Sequence, residues 1–145
     1  MTQKPTIALV AHDSCKPALL ALARDYESDL KDCELVATRH TGYMLASHTK
    51  LQPTRTLESG PLGGDLELAS LVVNGGIDAL IFLCDTTQTH PHQSDINALL
   101  RISTLYDIPL ATNITTAKLV LSSNLVKTAQ QSKEFSHAES PAHVH

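Results

Sequence analysis

Asp78-Ala79-Leu80-Ile81-Phe82-Leu83-Cys84 is, after its first residue, a continuous apolar run of strand length. A strand with no polar face belongs inside a sheet that is covered on both sides. Upstream of it, Leu66 to Val73 carries helical spacing and closes on Gly75-Gly76, a glycine pair suited to a helix end. Downstream, the polar stretch Asp85 to Asp95 separates the strand from a helix begun at Asp95, with Ile96, Leu99 and Leu100 facing inward. Ile108 to Asn113 reads as a final strand and Thr115 to Leu121 as a helix.

The same alternation runs toward the N-terminus. Thr6-Ile7-Ala8-Leu9-Val10-Ala11 is a second continuous apolar run. In the following segment, Asp13 or Ser14 can cap a helix, Pro17 suits its first turn, and Leu19, Leu22, Ala23, Tyr26 and Leu30 share one face. Cys33 to Thr38 is a further strand, Tyr43 to His48 a short helix, and Thr54 to Leu57 a short extended piece. Strands alternating with helices call for an α/β fold: a single doubly wound domain with a mostly parallel sheet and helices on both faces. We assign residues 1–129 to this domain. Residues 130–145 are polar, with too little apolar surface to fold by themselves, and form a tail expected to be mobile. Its His137, His143 and His145 offer only adventitious metal binding.

Composition excludes several classes of function. The 145 residues are 42% hydrophobic and 3% aromatic, enough for one core built from Ala, Val, Leu and Ile. A formal net charge of -4 leaves no basic patch for nucleic acid and no attraction to an acidic membrane. Nothing approaches the length of a membrane span, and no secretory leader is evident at the N-terminus. Cys15, Cys33 and Cys84 lack any C-x-x-C spacing, so free thiols in a reducing cytoplasm are expected.

The chemistry gathers where strands hand over to helices. Ser59-Gly60-Pro61-Leu62-Gly63-Gly64-Asp65 opens the Leu66 helix. Its glycines allow close backbone approach, and the unpaired N–H groups of a helix start attract an anion such as phosphate. Asp65 conflicts with that role. A carboxylate here is commonly an N-cap, yet beside a phosphate ester it is a poor ligand and a good proton acceptor, which suggests a catalytic base. His12, Asp13 and Lys16 follow the first strand, at the sheet edge where ligands bind in open α/β folds; the plain alternative is a capped helix with a solvated lysine. Thr38, Arg39, His40, Thr41 and Gly42 can hold phosphate oxygens or form a polar turn. A loop as long as Asp85 to Asp95 is more often functional than a simple connection.

Five short motifs in order resemble methylglyoxal synthase. They are Ala11-His12-Asp13-x-Cys15-Lys16, Ala37-Thr38-x-x-Thr41-Gly42, Ser59 to Asp65, Asp85 with Pro91-His92-x-x-Asp95, and Leu110-Ala111-Thr112-Asn113. The resemblance extends from about Ile7 to about Leu121. It implies a homohexamer of doubly wound α/β domains that converts dihydroxyacetone phosphate to methylglyoxal and inorganic phosphate, with no metal and no organic cofactor. By the match, Asp65 is the base, and His92 polarises the carbonyl and shuttles a proton. Asp95 orients the His92 imidazole or shares its proton. Lys16, Thr38, Thr41, Ser59 and Gly60 hold the phosphate, which as a product would also inhibit. His12, Asp13 and Asp85 line the site.

Departures from the family pattern are local. Arg39-His40 stand where Gly-Thr is usual, making that phosphate loop bulkier and more cationic; Arg39 either strengthens anion binding or blocks a tight turn. Asp85-Thr86-Thr87 replaces Asp-Pro-Leu, and Gln93-Ser94 alters the segment between His92 and Asp95 without changing its length. Two other readings compete. One is a regulatory module of the same fold that binds phosphate without catalysis. The other is a metal hydrolase built on His12, His90, His92, Asp85 and Asp95, although no helical metal-ligand spacing is present.

Overall fold

A computed structural model describes residues 4–127. The tail assigned to 130–145, with its three histidines, lies outside the described residues. The strands are β1 (Thr6–Ala11), β2 (Glu34–Thr38), β3 (Arg55–Leu57), β4 (Ala79–Leu83) and β5 (Leu110–Ala111). The helices are α1 (Lys16–Asp25), α2 (Glu27–Leu30), α3 (Arg39–His48), α4 (Gly64–Val73), α5 (Gln93–Leu105) and α6 (Ile114–Leu121). All strand pairings are parallel and the sheet order is β3-β2-β1-β4-β5. The chain winds outward from β1 in one direction through β2 and β3, then returns to the other side of β1 with β4 and β5.

Both faces of the sheet are covered, as the continuous apolar runs require. Ile7, Leu9 and Ala11 of β1 and Ala79, Ile81 and Leu83 of β4 pack with Leu19 and Leu22 of α1, Leu45 of α3 and Leu121 of α6. The alternate residues Ala8, Val10, Leu80 and Phe82 pack with Leu68 and Val72 of α4 and Ile96 and Leu99 of α5. Successive side chains of a strand point to opposite faces, so every strand position feeds one core or the other. Among the described residues no helix is long and apolar enough to cross a membrane. Cys15, Cys33 and Cys84 are free, and burial pushes the Cys33 and Cys84 thiols up to about 11.

Several local expectations are revised. Neither Asp13 nor Ser14 caps α1: a short 3-10 turn, Asp13–Cys15, intervenes, and Cys15 occupies the cap position without a side-chain bond. Ser14 instead donates to Asp85 Oδ2 at 2.7 Å. Helix α3 begins at Arg39, four residues before the expected start, so Thr38 to Gly42 form a helix start and not a turn. Asn113 lies outside β5 and caps α6, its Oδ1 accepting the Thr116 N–H at 2.9 Å.

The Ser59 loop folds as a 3-10 turn, Gly60–Leu62, that ends at Gly63 with φ 103°. Such a positive φ is natural only for glycine. Gly64 is required for a different reason: a Cβ there would sit 1.9 Å from the Glu58 carbonyl oxygen, and that atom is backbone. Gly64→Ala is therefore expected to lower the stability of the fold by about 3 kcal/mol, as overpacking against an unyielding neighbour does. Urea denaturation of the purified variant measures it.

Candidate active site

The carboxyl ends of β1, β2 and β4 and the loop after β3 surround a cavity of about 620 Å³. It lies where the winding direction reverses about β1, the place at which open α/β sheets bind their ligands. Of the residues singled out in the sequence, His12, Asp13, Lys16, Thr38, His40, Ser59, Gly60, Asp65, Asp85 and His92 line it. Arg39, Thr41 and Asp95 are not among the lining residues.

His12 is held by β4. Its backbone N–H donates to Leu83 O at 3.1 Å, extending the ladder between β1 and β4 by one bond. Its ring Nδ1 accepts the Asp85 backbone N–H at 2.9 Å. An accepting Nδ1 carries no proton, so the neutral ring has its hydrogen on Nε2, a buried atom with no partner. Burial, with the neighbouring His90, His92 and Lys16, lowers the His12 pKa to about 4. Near neutral pH His12 is thus an uncharged hydrogen-bond donor.

Asp65 stands at the second position of α4 and is 1% exposed. It makes no cap bond, so the N-cap alternative is excluded for this residue. Its Oδ2 lies 3.5 Å from His92 Nε2, and neither carboxylate oxygen has a hydrogen-bond partner. Burial raises the Asp65 pKa; His92 opposes the rise and Asp95 adds to it. Gly60 permits this proximity, since a Cβ there would come within 3.0 Å of His92 Nε2 and 3.4 Å of both Asp65 oxygens. His92 Nδ1 is buried and without a partner. The bond expected from Asp95 to His92 is therefore absent; Asp95 lies within the first turn of α5 and acts on Asp65 through its charge.

The other end of the cavity is polar and cationic. Lys16 Nζ donates to Ala11 O at 2.8 Å and to Asp13 Oδ1 at 2.9 Å, which uses two of its three donors. That bond holds the Asp13 carboxylate below its ordinary pKa. Thr38 caps α3 without a side-chain bond, and the buried Thr41 Oγ1 has no partner. The first-turn N–H groups of α3 add the positive end of its dipole. The Ser59 loop contributes fewer donors than a glycine-rich helix start suggests, because the Leu62, Gly63 and Gly64 N–H groups bond to Ser59 and Gly60 carbonyls within the 3-10 turn.

Of the departures, His40 lines the cavity, whereas Arg39, Thr86 and Thr87 do not. Arg39 is exposed and pairs with Glu58 at 3.5 Å; as part of a helix it blocks no turn. Thr87 replaces proline stiffness with hydrogen bonds, its N–H and hydroxyl reaching Asp85 Oδ1 at 2.9 and 2.6 Å. With Ser14, these bonds lower the Asp85 pKa to about 2. Asp85 thus turns its carboxylate to the loop and offers its backbone to His12. Sequence reasoning assigned His90 only to a metal set, yet it lines the cavity with its ring 4.0 Å from that of His12. Among the described residues no three or more His, Cys, Asp or Glu side chains converge to hold a metal ion.

A doubly wound α/β domain that sets a buried carboxylate against imidazoles at its switch point has the architecture of an acid–base enzyme. Residues 18–112 match the family model described as MGS-like domain. Methylglyoxal synthase of Photorhabdus laumondii subsp. laumondii is 45% identical over 125 residues, 86% of this chain and 82% of that protein. Methylglyoxal synthase of Burkholderia vietnamiensis is 45% identical over 118 residues, 81% of this chain and 90% of that protein. The crystal structure of methylglyoxal synthase from Elizabethkingia anophelis aligns with a TM-score of 0.79 at 35% identity, covering 85% of this chain and 81% of that one. The chain belongs to the methylglyoxal synthase family.

Both site groups link stability to pH. His12 has a folded pKa of about 4 against an ordinary 6.5, so the unfolded chain binds more protons between these values. Its contribution is complete above pH 6.5 and is lost as the pH falls to 4. Asp65 has the opposite sign: its raised pKa means that the folded state pays for an uncompensated carboxylate above that pKa. Asp65→Asn is expected to raise the thermal midpoint at neutral pH, with the gain shrinking in acid. His12→Gln is expected to flatten the loss between pH 6.5 and 4. Thermal melts across this range test both.

Proposed function

We propose that this chain is a carbon–oxygen lyase that converts dihydroxyacetone phosphate to methylglyoxal and inorganic phosphate through an enediolate. One observation carries the reading beyond family membership. The buried side-chain polar atoms without a partner, among the described residues, are His12 Nε2, Thr41 Oγ1, both Asp65 oxygens and His92 Nδ1. Each such group costs about 1–3 kcal/mol when left unbonded. All but the Thr41 hydroxyl belong to residues that line one cavity, which fits a site that completes its hydrogen bonding with substrate.

Asp65 takes a proton from the hydroxymethyl carbon, and the electron pair moves onto the carbonyl oxygen. Its raised pKa suits this step, since a desolvated carboxylate is a stronger base. The Nε2–H of His12 donates to the developing enediolate oxygen without having to lose a charge. His92, beside Asp65, polarises the carbonyl and relays a proton between the substrate oxygens. The Asp95 charge strengthens Asp65 as a base. The enediolate then expels phosphate: the C–O bond breaks, the bonding pair leaves with the phosphate oxygen, and the resulting enol gives up its hydroxyl proton and gains one on carbon to give methylglyoxal.

The phosphate lies against Lys16, Thr38, Ser59 and Gly60, beside the start of α3 and His40, with the Arg39–Glu58 pair nearby; Thr41, expected in this cradle, is buried outside the cavity lining. Asp13 holds Lys16 in place, and the Asp85 backbone holds His12. The same cradle binds inorganic phosphate as product and inhibitor. A non-catalytic phosphate module would have no use for the buried carboxylate of Asp65. The assembly is a homohexamer in the cytoplasm, in keeping with the family resemblance and with the exposed apolar side chains of Leu62 and Leu66 near the site loop.

Purified chain incubated with dihydroxyacetone phosphate and a chelator is expected to release methylglyoxal and phosphate in equal amounts, above the spontaneous rate. Phosphate held but never released from the ester would reject the lyase. Asp65→Asn should lower kcat by at least about 10³-fold, the scale of a general base, while phosphate affinity stays largely intact. A near-normal rate in that variant would remove Asp65 from its role. Inorganic phosphate is expected to raise KM without lowering kcat, and initial-rate measurements at several phosphate concentrations check this.

A further inference from the structure

His90 is not needed by any step of the proposed chemistry, and the structure nevertheless ties it to both imidazoles that are. Its Nε2 lies 2.9 Å from the Asp85 carbonyl oxygen. A carbonyl oxygen only accepts, so Nε2 carries the hydrogen of that bond. The N–H of the same residue, Asp85, donates to His12 Nδ1 at 2.9 Å. Asp85 is therefore clamped between two rings through its own N–H and C=O. The rings also meet directly, with centroids 4.0 Å apart and planes tilted by 31°. From the other side, the His90 carbonyl accepts the Gln93 N–H at 3.1 Å where α5 begins, directly after His92. Pro91 between them restricts the His90 backbone to extended conformations.

We propose that His90 is a positioning residue: through the Asp85 backbone and direct ring contact it holds the His12 imidazole with Nε2–H available to the cavity. Its part in turnover rests on the proposed lyase reaction; its hold on His12 does not. The bond to the Asp85 carbonyl anchors the residue on its C-terminal side, the bond to His12 engages its N–H, and that N–H selects the His12 tautomer. The ring contact removes water from one face of His12 and sets a second ionisable group beside it, so a proton on His12 is disfavoured twice. The titratable groups around the pair are His92, Lys16, Asp13, Asp65 and Asp85. None of them contacts both Asp85 backbone groups as the two rings do.

The test compares the full chain with His90→Ala, which removes ring and donor, and His90→Gln, which removes the ring but keeps an N–H able to reach the Asp85 carbonyl. Nitrogen-15 NMR of the imidazoles reads the tautomer and titration midpoint of His12, and steady-state kinetics with dihydroxyacetone phosphate reads kcat and KM. In His90→Ala the His12 midpoint is expected to rise from about 4 toward 6.5, with the Nδ1–H tautomer becoming populated. kcat should fall about tenfold, with little change in KM because the phosphate end is untouched. His90→Gln should show the raised midpoint but recover the Nε2–H tautomer and most of kcat. If His90→Ala does not fold, the midpoint in His90→Gln decides. A His12 midpoint and tautomer unmoved in the folded variants overturn the proposal. A wild-type chain inactive on dihydroxyacetone phosphate overturns the lyase reading instead, and the NMR comparison still judges His90.

Discussion

The parallel pairing of β1 with β4 is the constraint on which the site depends. Its register runs from Ile7 opposite Ala79 to Ala11 opposite Leu83 and continues one bond further, from the His12 N–H to Leu83 O. That last bond sets the first residue after β1 beside the first loop residues after β4. Neighbours more than seventy positions apart in the chain then share a hydrogen bond, His12 Nδ1 with the Asp85 N–H. A slip of one residue would turn every side chain of the strand to the other face and separate the two. The two cores guard against this, because each accepts only alternate residues of both strands.

Around this fixed edge the protein keeps polar groups in an unfavourable state. Asp65 is almost fully buried yet has no hydrogen-bond partner, and the nearest imidazole nitrogen is 3.5 Å away. Such a carboxylate raises its own pKa and destabilises the fold, and it is a better base for the same reason. The surrounding structure prevents relief. Gly60 brings the loop backbone against both Asp65 and His92, and Gly64 fits only because it lacks a Cβ. A bulkier loop would push these groups apart.

At the positions singled out in the sequence as departures, the chain makes contacts of its own. Thr87 binds Asp85 twice and Ser14 binds it once, so the loop after β4 is stiffened by hydrogen bonds in place of a proline ring. Arg39 extends α3 by its backbone and sends its guanidinium to Glu58. Glu58 in turn accepts the Ser59 N–H at 3.2 Å, which links the start of α3 to the loop that carries Gly60.

Element type and order were legible in the sequence by itself. Short apolar runs such as Ala79 to Cys84 and Ile7 to Ala11 suit strands buried on both faces, and their alternation with amphipathic helices points to a parallel, doubly wound sheet. Polar residues follow the strand runs, which is why His12, Lys16, Thr38 and Asp85 were visible as candidates, and Asp65 stood out as the carboxylate ending a glycine-rich loop. Short-range chemistry was harder to read at the boundaries: Asn113 looks like strand and caps a helix, and Thr41 looks like a turn and is helical. Only the tertiary structure decided which nitrogen of His12 carries its hydrogen, that Asp65 caps nothing, that Asp95 makes no bond to His92, and that His90 lies against His12. These are properties of atoms brought together by strand register across long stretches of chain, and no local pattern of residues encodes a distance between them.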